Sequence, residues 1–339
     1  MTTPPMTTPP MTTAQPARVP SATTARARAL VAERTPAAVG LGRAAGELAP
    51  DPAAAVRILR SGLADLADPE YLQGQQRVAP GIGLVLGVRG PLLHAVGRGL
   101  RATTRRDRGA VLLDLADQLL REEPLELHWL AFELLERTIA ADPERTWQLV
   151  RAEARMAADW ITVDALAHVA GRGILAESYR WAELEQLVYS PSRWERRLVG
   201  STVATVPFVD RAAGRTANVA RRGLALVGDL LGDAEPDVQK ALSWALRSMA
   251  LVDLPATVAF LRTETAHAAT ADDGHRAWVI RDTFEKLPAP VAAELGATLA
   301  GVRKRPGAPS TSRASATAAD FLGLGVGVPP AEPPIVTRA

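Results

Sequence analysis

Along most of this chain, apolar side chains recur at intervals of three and four residues, the spacing that gathers them on one face of an α-helix. Val111, Leu112, Leu115, Leu119 and Leu120 follow this pattern, as do Leu127, Leu130, Ala131, Leu134 and Leu135. No stretch alternates apolar and polar residues with the period of two that marks a half-buried strand. The pattern therefore predicts amphipathic helices of about three to four turns each. Prolines punctuate them: Pro69, Pro91, Pro124, Pro143, Pro191, Pro236, Pro255 and Pro288 each stand just ahead of such a stretch. There a ring that fixes φ and lacks an N–H is tolerated. Asp68, Glu123, Asp142, Ser190 and Glu235 precede five of them and offer an N-cap oxygen or an acid to the helix start.

Three of these starts echo one another. Glu123-Pro124, Ser190-Pro191 and Glu235-Pro236 each open a helix carrying a tryptophan in its first three turns, Trp129, Trp194 and Trp244. A degenerate echo of this kind suits helical-hairpin repeats that stack by shape rather than by strict consensus. The fold expected is all-α, an α-solenoid of HEAT-like repeats with a long concave surface. An ordinary all-α globule is the alternative.

The ends of the chain differ in composition. Eight of the 26 prolines fall in residues 1–50, which open on a direct repeat of Met-Thr-Thr-Pro-Pro, and six more fall in 303–339. With little apolar surface to offset ordering entropy, both ends are expected to be disordered, leaving 51–302 as the folded domain. The basic run Arg303-Lys304-Arg305 reads as a solvated tail that could touch an anionic partner.

With 47% hydrophobic and 22% charged residues, the chain fits a soluble globular class, and no apolar run is long enough to span a bilayer. It contains no cysteine, which rules out disulfides and thiolate metal sites. The N-terminus lacks the charged and apolar regions of a secretory signal, so a cytoplasmic location is expected. Net charge is only +2, but 36 of the 39 basic residues are arginine. Arginine favours bidentate phosphate contacts; a GC-rich genome would raise arginine and alanine together just as well.

The five histidines are dispersed and no two share metal-ligand spacing, so no metal or cofactor is expected. No Walker-type loop occurs, and Gly81-Ile82-Gly83 and Gly171-Arg172-Gly173 lack the strand a dinucleotide site needs. What remains is a set of tryptophans, an acid and arginines. Trp160 and Asp164 sit four apart in Asp159-Trp-Ile-Thr-Val-Asp-Ala-Leu166 and would share a helix face. An aromatic face beside a carboxylate suits a cationic group, although Trp160 could equally be core. The start Ser190-Pro-Ser-Arg-Trp-Glu-Arg-Arg197 crowds Arg193, Arg196 and Arg197 around Trp194. Free N–H groups and guanidinium groups together make a phosphate site or, alternatively, a solvated basic face. A third segment, Asp237-Val-Gln-Lys-Ala-Leu-Ser-Trp-Ala-Leu-Arg247, carries Lys240, Trp244 and Arg247 on a core-like background.

Taken in order, Trp160-Ile-Thr-Val-Asp164, Ser190 to Arg197, and Val238-Gln-Lys-Ala-Leu-Ser-Trp-Ala-Leu-Arg247 resemble the AlkD-type DNA alkylation-repair glycosylases. The resemblance runs from about residue 50 to 290 and includes Leu86-Gly-Val-Arg-Gly-Pro91, similar to that family's N-terminal loop. It implies a HEAT-like solenoid that grips duplex DNA on a basic concave face and excises N3- or N7-alkylated purines, bulky adducts of a natural-product alkylator included. Trp160 and Trp244 would flank the deoxyribose, Asp164 would be the catalytic carboxylate and Arg197 the phosphate contact. Beyond what the resemblance implies, Arg193 and Arg196 are candidate DNA contacts on charge grounds alone, and Trp194, Lys240 and Arg247 are further candidates. A monomeric, nucleoid-associated bacterial enzyme of base excision repair or self-resistance is implied. A member that binds damaged or branched DNA without excision is the alternative.

Overall fold

Of the five residues expected at helix starts, Asp68 and Asp142 cap their helices, while Pro124 and Ser192 take the N-cap positions next to Glu123 and Ser190. In the computed structural model, which describes residues 22–323, Asp68 caps a helix by accepting from the Glu70 N–H, and Asp142 caps another through the Arg145 N–H. Asp159, Ser192, Asp253 and Asp273 do the same for four more, each satisfying an N–H that the helix itself leaves unpaired. Glu235 precedes its helix without a side-chain cap bond.

Sixteen α-helices and no strand occur among the described residues. In chain order they are α1 (Ala22–Glu47), α2 (Pro52–Leu66), α3 (Pro69–Val78), α4 (Gly90–Thr103), α5 (Gly109–Leu119), α6 (Leu125–Thr138), α7 (Pro143–Met156) and α8 (Trp160–Ala176). There follow α9 (Arg180–Gln186), α10 (Arg193–Val209), α11 (Ala217–Leu230), α12 (Pro236–Val252), α13 (Leu254–Ala271), α14 (Gly274–Arg281), α15 (Ala289–Thr298) and α16 (Arg313–Gly323). Each of α6, α8, α10, α12 and α14 packs against the next, forming an inner row, and α5, α7, α9, α11 and α13 lie behind them as an outer row. The inner helices are more tightly packed on one another than the outer ones. This is an all-α solenoid of helical repeats. One continuous apolar core runs its length, from Leu59 and Leu92 through Leu130, Leu166 and Val203 to Leu242 and Ile280. No helix among the described residues is long and apolar enough to cross a membrane.

The expected domain limits shift at both ends. Residues 22–47 form α1, a long helix lying along α4, rather than part of a disordered tail. Its amphipathic signal is weak because the packing uses backbone rather than large side chains. Ala38, Ala45 and Ala49 are fully buried, and a Cβ added at Gly42 or at Gly99 would collide with the backbone of the opposite helix. At the other end, residues 303–312 lie across the ends of α12 and α14 and lead into α16, which packs on α11. The expected disorder of residues 1–21 and 324–339 concerns positions outside the described residues.

The seven tryptophans divide by row. Trp147 on α7 and Trp181 on α9 are buried in the outer layer. Trp129, Trp160, Trp194, Trp244 and Trp278 stand on five successive inner helices and are all only partly buried. The three echoing starts open α6, α10 and α12, all inner helices.

Candidate functional site

The inner row carries its chemistry near the N-terminal ends of its helices. Asp159 caps α8 through a 2.8 Å bond from the Thr162 N–H, which sets Trp160 as the first helical residue. From there a stripe of partly or fully exposed positions runs down α8 through Trp160, Asp164, His168 and Arg172, as the helical spacing requires. Trp129 on α6 donates its indole N–H to the Thr162 hydroxyl at 3.3 Å, tying the starts of α6 and α8 together.

Asp164 is held firmly. Its Oδ1 accepts from Arg197 Nε at 3.1 Å and from the Ser201 hydroxyl at 2.6 Å, and its Oδ2 accepts from an Arg197 terminal nitrogen at 2.8 Å. A carboxylate has about four lone-pair positions. Three are occupied among the described residues, which leaves one on Oδ2, and the side chain is 20% exposed. The other Arg197 terminal nitrogen donates to the Asp237 carbonyl of α12 at 2.6 Å, so this guanidinium bridges α8 and α12 across α10. Arg197 also lies 5.9 Å from the centre of the Trp160 ring.

Gly200 permits this bridge. A Cβ there would meet the Ala241 Cβ at 2.9 Å, so glycine lets α10 and α12 approach closely. On α12 the partly or fully exposed positions Asp237, Lys240, Trp244, Arg247 and Leu251 form one helical stripe. Trp160 and Asp164 thus stand on α8 and Trp244 on α12, the two helices that flank α10, and Arg197 on α10 bonds to both of them.

The arginines expected to bind phosphate are not alike. Arg193 is exposed, lies 4.8 Å over the Trp194 ring and makes only loose pairs with Glu235 and Asp237 at 3.6 and 3.8 Å. Arg196 differs from the expectation: it is spent within the protein, on Asp233 at 2.7 Å and on the Ser190 and Pro191 carbonyls. It ties the loop before α10 to the loop before α12. Arg197, 7% exposed, is likewise committed to Asp164 and Asp237. Charge counting along the sequence cannot separate a free guanidinium from one neutralised by an acid more than thirty residues away.

Beyond α12 the structure gathers residues that sequence reasoning missed. Asp282 accepts from the Ser243 hydroxyl at 2.7 Å and from Arg247 at 3.0 Å, and lies 3.5 Å from Lys240. Burial pushes its pKa up, but the Ser243 and Arg247 hydrogen bonds and the two cations outweigh that and leave it below the ordinary carboxylate value. Lys240 rests 4.6 Å over the Trp278 ring. At the opposite side of Trp160, the Leu86–Val88 loop is fixed by Glu126 at the start of α6. This fully buried carboxylate accepts from the Leu86, Gly87 and Val88 N–H groups at 2.9–3.2 Å. Ser201 is the most consequential omission. Its one sequence signal is its place four residues after Arg197 on the same face of α10.

The sequence model of the DNA alkylation repair enzyme family matches residues 59–287. The chain belongs to this family. Comparison with curated proteins gives no match. The matched span covers the whole inner row from α6 to α14, with Trp160, Asp164, Arg197, Ser201 and Trp244 inside it. Helix α1 and the segment from 302 to α16 lie outside the matched span.

Proposed function

We propose that this DNA alkylation repair protein is a monofunctional DNA glycosylase that hydrolyses the N-glycosidic bond of N3- or N7-alkylated purines in duplex DNA. The observation that carries the reading is Asp164: a carboxylate oriented by three hydrogen bonds, with one acceptor position left open beside Trp160. Alkylation at N3 or N7 gives the purine a positive charge, so the base leaves neutral and needs no general acid. What the reaction requires is stabilisation of the oxocarbenium-like sugar at C1′ and a placed water, as in glycoside hydrolysis. The negative oxygen of Asp164 can do both, opposing the growing charge and accepting a proton from water. Trp160 and Trp244 would offer ring faces to the sugar edge from the two flanks of the groove. Holding the sugar rather than the base needs no deep pocket for a flipped nucleotide, so bulky adducts would be admitted.

Arg197 has a different role in this reading from the one its sequence position suggests. With its nitrogens on Asp164 and Asp237, it is a positioning residue for the carboxylate, shared with Ser201. Backbone contacts would then fall to Arg193 and Lys240, since Arg247 is itself held by the Asp282 carboxylate and carbonyl. Lys240 is directed at Trp278 and Asp282, which gives it no role as a Schiff-base nucleophile.

The test is a duplex carrying 3-methyladenine or 7-methylguanine, incubated with the protein and analysed by mass spectrometry of the released material. The intact alkylated base should appear in solution, and heating should break the strand at the abasic site left behind. Recovery of a dealkylated base still in the strand would overturn the reading. Tight, salt-sensitive binding with no release from any alkylated duplex would instead make the chain a non-catalytic binder of damaged DNA.

A further inference from the structure

We propose that the segment Arg303-Lys304-Arg305, outside the span that defines the family, is a built-in second contact for the DNA backbone. The proposal rests on the reading that the groove binds duplex DNA. A basic run near a chain end is ordinarily a solvated tail, and here it is not. After α15 the chain passes the N-terminal end of α14 so closely that a Cβ on Gly274 would strike the Arg303 backbone. Arg281 donates to the Leu299 and Val302 carbonyls at 2.7 and 2.9 Å and fixes the approach. The fully buried Gln239 of α12 then anchors the run. Its amide nitrogen donates to the Asp233 carbonyl and to His275 Nδ1, and its oxygen accepts from Lys304 Nζ at 2.7 Å. With Nδ1 accepting, His275 Nε2 donates to the Ala308 carbonyl at 3.0 Å. Farther on, Thr311 donates its N–H to the Gly232 carbonyl at 2.9 Å, and Arg313 pairs with Asp229 at the same distance.

This chain of bonds places cations where the groove runs on past Trp244. Lys304 lies 5.7 Å from the Trp278 ring and Lys240 lies 4.6 Å from it, so one ring carries two ammonium groups. Two like charges sharing a ring repel each other, and a phosphate between them would relieve that repulsion. Arg303 is exposed, and among the described residues its guanidinium bonds to the neighbouring Val302 carbonyl and pairs with no acid. Arg305 is mostly exposed although paired with Asp272. Asp282 is already shared by Lys240 and Arg247. A row of Arg193, Lys240, Lys304 and Arg303 therefore follows the N-terminal ends of α10, α12 and α14, where the helix dipoles add to the positive potential. Its ligand is the phosphate backbone flanking the lesion, read without regard to sequence.

The experiment measures affinity of the full chain for an undamaged duplex across a range of salt concentrations. Each phosphate neutralised contributes about 0.9 to the slope of log K against log salt. Arg303→Gln should lower the slope by about 0.9 and Arg303→Gln/Lys304→Gln by about 1.8, with binding weakened equally for all sequences. Arg303→Lys should retain the wild-type slope. Since Arg303 has no side-chain partner among the described residues, the thermal midpoint of the Arg303→Gln protein should not move. A wild-type slope in both glutamine variants would overturn the proposal while leaving the groove reading intact. A wild-type protein with no salt-dependent affinity for DNA would overturn both.

Discussion

Asp164 and Arg197 should be energetically coupled, and a double-mutant cycle measures by how much. Asp164→Asn leaves the Arg197 guanidinium, 7% exposed, with the Asp237 carbonyl and a neutral amide as its partners. Breaking a buried ion pair by removing one partner costs about 3–5 kcal/mol, because the remaining charge stays desolvated. The groove opening on the Asp164 side lets water in, so we take the low end, about 3 kcal/mol. Arg197→Met strands the carboxylate instead, but Ser201 still donates to it and it is 20% exposed, so about 2–3 kcal/mol is expected. The double variant leaves no charge behind. If the two effects were independent they would add to about 5–6 kcal/mol; with the pair formed, the double should cost only about 2–3 kcal/mol, a coupling near 3 kcal/mol. Urea unfolding of the four proteins, followed by circular dichroism, gives the free energies and shows from equal m-values that the unfolded states match. Additivity within about 0.5 kcal/mol would refute the pairing and with it the claim that Arg197 orients the acid.

Two further outcomes follow from other parts of the fold. His128 bonds Glu153 at 2.7 Å through Nδ1 and the Glu122 carbonyl at 2.6 Å through Nε2. Burial works against the charged ring, but the Glu153 hydrogen bond and charge and the Glu122 carbonyl outweigh it and raise the pKa. The stabilisation is then complete below the unfolded value of about 6.5 and is lost as pH rises through the higher folded value. The stability gap between wild type and His128→Gln should therefore narrow from pH 6 to pH 9, and a gap that widens would show the ring is neutral when folded. Gly200→Ala forces α10 and α12 apart at the point where Arg197 bridges them, since the new methyl would lie 2.9 Å from the Ala241 Cβ and 3.0 Å from the Ala241 carbonyl carbon. It should cost about 1–3 kcal/mol as an overpacking change, read as a lowered urea midpoint; an unchanged or raised midpoint would mean the helices have slack there.

Apolar periodicity and proline punctuation made the inner helices and their starts legible, because amphipathic helices with short acidic caps write their boundaries locally. Trp160, Asp164 and Trp244 could be placed on helix faces for the same reason. Helix α1 was not legible. Its interface with α4 is built from Ala38, Ala45, Gly42 and Gly99, and small residues that pack backbone on backbone leave little hydrophobic signal. The partners of Arg196 and Arg197 were hidden too, since Asp233 and Asp164 reach them through the stacking of repeats rather than through sequence proximity. The same holds for Lys304, anchored by Gln239 from 65 positions away. Local composition describes a run such as Arg303-Lys304-Arg305 but carries no information about what holds it.

The central claim is that Asp164 acts on the sugar. Its most direct test is single-turnover excision of 7-methylguanine from duplex DNA by wild type and Asp164→Asn. Both should be held well below their unfolding midpoints, and binding to the same duplex measured in parallel. The asparagine variant should bind as wild type does and excise at least about a hundredfold more slowly, the loss expected when a positioned base and its charge are removed. Equal excision rates for the two proteins would contradict the claim.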